Sequence, residues 1–343
     1  MNTPPTIRIG TGTTVRRFDD YDAWLDTAEG VGFDLLTTGD SQSLWADCFT
    51  IMTYAAARTT RPQLAITVSN PKTRHPAVTA SAAASVQQIS GGRFNFGIAS
   101  GDSALRNIGV APATVAELEA YVCAVQELTA GHPARWNGNE LELRWLQDPA
   151  PVPVWIAAEG PRTQQLAGRI ADGVILSNAL TPERQAIARH HLALGAAEAG
   201  RSLDDIEIWC MCNVVFAPTE EEGIESILSV LAGTAAHVFR FSLDDKGLPD
   251  DLRDRMQGLM REYQPVHHAQ PGSENPNNRL IDKYGLRSYL AAQGTIAGPP
   301  DRCSERIQEV AANGATNLIF SQFVRDQQEW MRRFEADILP AIR

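Results

Sequence analysis

The sequence has no apolar run approaching membrane-spanning length, and Met1-Asn2-Thr3-Pro4-Pro5 lacks a charged-then-apolar leader pattern. A cytoplasmic protein with no membrane partner is therefore expected. Positive charge is also short: 30 Lys and Arg against 41 Asp and Glu give a formal net charge of −11 without a basic block. That balance argues against nucleic acid, whose backbone is held by clustered Lys and Arg, and the acidity is read as solubility. The five cysteines, Cys48, Cys123, Cys210, Cys212 and Cys303, are odd in number and scattered, which suits reduced thiols. Cys210 and Cys212 would share one face of an apolar strand, and no second Cys/His pair accompanies them, so packing rather than zinc is expected. None of the seven histidines forms a metalloprotease-like pair with a following glutamate, and no metal site is expected. A P-loop lysine is absent. The dinucleotide fingerprint begun by Gly10-Thr11-Gly12 fails at Val15. Gly97-Ile98-Ala99-Ser100-Gly101 places its serine one position too late for a nucleophile elbow.

What is present is an alternation. Short β-branched runs read as strands at Ile7–Gly12, Phe33–Thr38, Gln63–Ser69, Arg93–Ser100, Pro153–Ala158, Gly173–Ser177, within Asp205–Ala217, and at Thr316–Gln322. Helical patterns separate them at Asp19–Gly32, Asp47–Arg58, Ala77–Ile89, Val115–Thr129, Thr163–Ile170, Pro182–Ala199 and Glu220–Leu231, and Gln327–Ile342 closes the chain. Eight such repeats in 343 residues predict an α/β fold, a (β/α)8 TIM barrel, as one domain over 1–343. Two stretches interrupt the repeat. His132–Gln147 contains a turn at Trp136-Asn137-Gly138, and a polar insertion over 241–298, between the seventh and eighth units, is expected to cap the active site.

In a parallel barrel the residues after each strand face a common centre. Those residues are polar after strand upon strand: Asp40, Ser41 and Gln42; Asn70 through Arg74 and His75; Ser100, Gly101, Asp102 and Ser103; Glu159, Gly160, Pro161 and Arg162; Ser177 and Asn178; Ser321 and Gln322. Gly160-Pro161-Arg162 opens a helix with proline near its first position, an end whose free amides attract phosphate. An ordinary loop-to-helix junction fits that segment equally well. His75 suits catalysis or loop fixing, and His267 and His268 could reach a substrate from the insertion. Trp45, Trp136, Trp145 and Tyr284 are candidates for pocket lining or for core packing.

Several motifs occur in an order that resembles the bacterial luciferase-like superfamily, most closely its methylenetetrahydromethanopterin reductase branch. These are Val68-Ser69-Asn70-Pro71-Lys72-Thr73-Arg74-His75-Pro76, Ser90-Gly91-Gly92-Arg93, Gly101-Asp102-Ser103-Ala104, Ala158-Glu159-Gly160-Pro161-Arg162 with Ala171-Asp172-Gly173-Val174, and Ile296-Ala297-Gly298-Pro299-Pro300. The resemblance implies a barrel that binds reduced FMN or the deazaflavin F420. It places the cofactor phosphate near Gly160–Arg162 and Ser100–Ser103, and the ring against a bulge in the third strand with a cis bond at Thr67–Val68. Cofactor contacts are thus expected at Thr67, Val68, Asn70, Ser100, Gly101, Asp102, Ser103, Glu159, Gly160, Pro161, Arg162 and Ser177. Asp40, Ser41 and His75 are the catalytic candidates. Deazaflavin-dependent dehydrogenases of the family carry histidine where Ser41 stands, and serine is a poor base without an activating partner.

The first functional reading is an FMNH2- and O2-dependent monooxygenase acting on a small organic substrate, with a separate flavin reductase as partner. The second is an F420-dependent hydride-transfer enzyme; the third is a flavin-binding protein without turnover. A homo-oligomer is also implied by the resemblance.

Overall fold

The computed structural model describes residues 6–267 and 274–343, so Met1–Pro5, His268 and the Pro271-Gly272 turn lie outside the described residues. Eight parallel strands close into a barrel: β1 Arg8–Gly12, β2 Leu35–Thr38, β3 Gln63–Ser69, β4 Phe94–Ile98, β5 Val154–Ala157, β6 Gly173–Ser177, β7 Glu207–Phe216 and β8 Asn317–Ser321. Hydrogen bonding runs from β1 through β6 in order, then β6 to β7, β7 to β8 and β8 to β1. The fold is the expected (β/α)8 barrel. Its strands read as apolar runs because both faces are covered, and every residue of β2 and of β4 is buried.

Helices α1 Tyr21–Val31, α2 Cys48–Arg58, α3 Pro76–Ser90, α4 Val115–Thr129, α5 Pro161–Ile170 and α6 Pro182–Glu198 cover the outside. Their starts are written locally. Asp47 accepts from the Thr50 amide to cap α2, and Thr114 with Glu117 forms a capping box on α4. The interior of the barrel is filled by Leu35, Ala65, Trp155, Ile175, Trp209 and Ile319, one residue from each of six strands.

The chain departs from expectation in three places. Trp136-Asn137-Gly138 turns as expected, but it joins a two-stranded hairpin, Ala134–Trp136 with Asn139–Leu141; Asn137 and Gly138 supply the positive φ that a tight hairpin turn needs. The helix expected to end at Leu231 breaks at Ser226-Ile227 and resumes as α7, Leu228–Phe239. Among the described residues the insertion holds three α-helices, two short 3-10 turns and, at its end, a strand, Thr295–Gly298, which lies parallel to Asn213–Phe216 of β7. These helices carry a second apolar cluster, including Leu231, Phe239, Met256, Leu259 and Ile281. The circuit closes with α8 Pro300–Ala312 and α9 Gln327–Asp337.

Helices α5 and α6 meet backbone to backbone. A Cβ on Gly195 would sit 1.8 Å from the Gln165 carbonyl oxygen, and one on Gly168 would sit 2.1 Å from that of Leu192. Neither obstacle is a flexible side chain, so the helices themselves must separate. Gly195→Ala is expected to destabilise by about 1–3 kcal/mol. Gly30→Ala, with open space around its Cβ, is the control and should be neutral or slightly stabilising. Equal denaturant midpoints for Gly195→Ala and the wild type would refute the close-packing account.

Candidate active site at the strand ends

The C-terminal ends of β2 and β3 are tied together by charge. Asp40, at the end of β2, has a side chain only 2% exposed; Arg74 Nη1 and Ser69 Oγ each donate to its Oδ2 at 2.5 Å. Arg74 also pairs with Asp47. Ser41 is buried, with its Oγ 3.1 Å from Ser103 Oγ, and Gln42 donates to the Ala104 carbonyl at 2.9 Å. The β2 and β4 loops are therefore one polar unit. His75 is not part of it. Its Nδ1 accepts from the Ala77 amide to cap α3, and its ring meets the edge of Trp136. The reading of His75 as loop-fixing fits this placement.

Beside these ends, β3 slips register between Ile66 and Ser69, and the Thr67–Val68 bond is cis, as the resemblance implied. Asn70 is buried, and its Oδ1 accepts from the amides of Lys72 and Thr73, fixing the following turn. Glu159 Oε1 accepts from the Ser177 amide at 2.7 Å and ties the ends of β5 and β6 together, while Arg184 Nη2 lies 3.7 Å from Oε2. Gly160 gives α5 no side-chain cap and Pro161 no amide, so the first turn keeps donors open to an anion. Arg162 is exposed. The cation that does approach this helix end is Lys246 from the insertion, whose Cε is 3.6 Å from where a Gly160 Cβ would stand.

Asp102, after β4, is the most heavily contacted carboxylate of the mouth. His237 Nδ1 lies 3.0 Å from its Oδ2, Arg240 Nη1 is 3.5 Å from Oδ1, and Arg106 pairs with Oδ1. Burial alone would raise the Asp102 pKa; the hydrogen bond and charge of His237 and the charges of Arg240 and Arg106 outweigh it, and the carboxyl falls to about 2. Arg240 also donates to Ser100 Oγ and to the Gly101 carbonyl, so α7 and the residue after it are docked onto the β4 loop.

A cavity of about 230 Å³ opens at this end of the barrel, between Asp102, Ser177, Asn213 and Ser321 at the strand ends and the α7 face that carries Thr234 and His237. A second cavity, of about 350 Å³, shares Asp102 and His237 with the first and extends past Arg106 and Arg240 to Met260 and Tyr263. Of the expected contact residues, Asp102 and Ser177 line the first cavity; Ser100, Gly101, Ser103 and Glu159 form hydrogen-bonded support or backbone beside it. Among the aromatic candidates, Trp45 donates to the Gly39 carbonyl, Trp136 packs on Tyr121, and Tyr284 is bonded to Glu262.

His237, Arg240 and Lys246 were not singled out by the sequence reading. The available signal was the spacing of Val230, Gly233, Thr234 and His237, which is one helical face and does line the cavity. It was hidden because Gly233 and Thr234 are weak helix formers and suggested that the helix had ended.

A parallel (β/α)8 barrel with a cavity at its mouth, a helix N-terminus open to an anion and a polar rim is the architecture of an enzyme acting on small molecules. The luciferase-like monooxygenase family model matches residues 1–317, and the chain belongs to that family of oxidoreductases. It is 24% identical over 333 residues to 5,10-methylenetetrahydromethanopterin reductase of Archaeoglobus fulgidus, covering 95% of this chain and 97% of that one. It is 25% identical to F420-dependent glucose-6-phosphate dehydrogenase of Beutenbergia cavernae, covering 98% of each chain. The fold superimposes on the coenzyme F420-dependent tetrahydromethanopterin reductase from Methanopyrus kandleri with a TM-score of 0.74, at 23% identity over 99% of this chain and all of that one.

Proposed function

We propose that the protein is an F420-dependent oxidoreductase that moves a hydride between the deazaflavin and a small organic substrate. The observation that carries this reading is the anion-ready end of α5 beside the cavity at the barrel mouth. The open first-turn amides of Arg162 and Thr163 lie at the helix end that Lys246 approaches, and the neighbouring Glu159 is bonded to Ser177 of the cavity wall. That combination suits a ring cofactor carrying a phosphate. FMN and F420 both meet this description. The deazaflavin is favoured because relatives that match nearly the whole chain include F420-dependent enzymes. When bound, it would supply a hydride-transfer centre that does not need oxygen. The chain's own residues would orient it and keep water out.

Titration of the purified protein with F420 and with FMN tests this directly. F420 is expected to bind at least about tenfold more tightly, a difference of ~1.4 kcal/mol. An anaerobic panel of alcohols and sugar phosphates should then bleach bound F420 with at least one member. Preferential FMN binding, with substrate-dependent oxygen uptake when a flavin reductase is supplied, would instead establish the monooxygenase reading. Binding of the deazaflavin with no turnover across the panel would favour a carrier without catalysis.

A further inference from the structure

We infer that His237, carried by α7 and oriented by Asp102, is the proton-transfer residue of this site, acting on a hydroxyl or carbonyl oxygen of an alcohol–carbonyl substrate pair in the barrel-mouth cavity. This rests on the hydride-transfer reading and names the group that completes it. The family's histidine position after β2 holds Ser41, and Ser41 is buried against Ser103. Asp40 is occupied by Arg74 and Ser69, and the His75 Nδ1 is used to cap α3. None of the three is placed to exchange a proton with a ligand in the cavity.

The titratable groups lining that cavity, among the described residues, are Asp102, Cys212 and His237. Burial pushes the Cys212 thiol far up, which keeps it neutral. Asp102 is committed to Arg106, Arg240 and His237. An ionised carboxylate can only accept, so the His237 nitrogen facing it at 3.0 Å, Nδ1, carries the hydrogen. In the neutral ring Nε2 then holds the lone pair. Among the described residues it makes no hydrogen bond, and the side chain is 35% exposed where the two cavities meet. A carboxylate that fixes the tautomer of an imidazole open to the substrate is the arrangement of an oriented general base. The other charged and titratable groups around the pair are Arg106, Arg240 and Tyr263.

In the oxidative direction, the substrate O–H bond breaks and its proton passes to His237 Nε2. The O–H electron pair becomes the second bond of the carbonyl, and the carbinol C–H pair leaves with its hydrogen for the hydride acceptor. The proton on Nε2 then exchanges with solvent, and the reverse direction returns one to the carbonyl oxygen. Asp102 is a positioning residue: it touches the imidazole, sets its tautomer and stabilises the imidazolium.

The test has two arms. In apo-protein labelled with 15N-histidine, the neutral His237 ring should be the Nδ1–H tautomer, and D102N should lose that tautomer. With F420 and the alcohol found on the panel, H237Q should lower kcat by about 10²–10⁴-fold while leaving the F420 dissociation constant within about twofold. In D102N the fall in kcat should accompany the loss of the Nδ1–H tautomer, a change that loss of packing alone would not produce. An H237Q enzyme with wild-type kcat would overturn the assignment, as would a D102N protein with unchanged tautomer. Failure of the wild type to bind F420 would remove the hydride reading and the proton role with it; binding followed by an inert H237Q effect removes the proton role alone.

Discussion

Trp209→Ala is expected to lower stability by about 3–5 kcal/mol, the largest loss from any single interior truncation in the barrel. Trp209 is wholly buried in the interior layer and stacks on Trp155, with ring centroids 5.9 Å apart and planes 30° from parallel. The Arg8 guanidinium lies over its ring, 5.0 Å from the centroid, and is itself held by Gln63 at 3.0 Å and by an ion pair with Glu207. Truncation leaves a void walled by β-strands, which cannot collapse as a loop can. It also removes the aromatic surface beneath a constrained cation. Trp209→Phe is expected to cost far less. The Trp209 Nε1 has no hydrogen-bond partner among the described residues, so phenylalanine loses area and no polar contact. Urea unfolding of both variants checks the order. Equal losses for Ala and Phe would mean that the indole is held by something other than stacking and volume.

Much of the barrel was legible because its strands obey local rules. β4 and β6 are short apolar runs bounded by glycine and serine, and α4 announces its start with Thr114 and Glu117. The Thr295–Gly298 strand was not, because its four residues look like loop until they meet the far end of β7, a partner about eighty residues away in the chain. The site divides along the same line. Asp102, Glu159, Gly160 and Ser177 could be found because barrel geometry puts whatever follows a strand at the mouth. Which of them face a ligand and which brace each other could not: Asp40 and Ser69 are polar and correctly positioned, yet they satisfy one another with Arg74. Lys246 comes from the insertion and His237 from α7, and their placement depends on tertiary contacts such as the Arg240 bonds to Ser100 and Gly101. No period or motif in the sequence records those contacts.

Lys246→Met is expected to stabilise the apo-protein while weakening its hold on a phosphate-bearing cofactor. Lys246 is 4% exposed, and its Nζ donates to the Val238 carbonyl at 2.5 Å. Burial pushes the ammonium down to about 8; Glu159 pulls it back up, and Arg184 and Arg240 push it lower. The folded pKa lies below the unfolded value of about 10.4, so folding disfavours the charged form. This group therefore weakens the fold at pH 7, by at most about 3 kcal/mol, and the penalty fades as pH rises from about 8 toward 10. Methionine carries no such penalty but leaves the Val238 carbonyl without its donor, at a cost of about 1 kcal/mol. A net gain of about 1–2 kcal/mol at pH 7 is the expected result, measured by urea unfolding, and the gain should shrink at pH 9–10 as roughly set by the same linkage. Cofactor binding should move the other way. Losing a cation beside the open end of α5 removes a charge-assisted contact of about 1.5–3 kcal/mol, or roughly ten- to a hundredfold in affinity. The wild-type affinity for F420 should also fall as pH rises through about 8, where Lys246 loses its proton, and Lys246→Met should lack that limb. A variant that is less stable and binds F420 as tightly as wild type would show that this lysine braces the insertion against Val238 and serves no anion. An opposed pair of changes would mean that the fold keeps a strained cation there because the cofactor uses it.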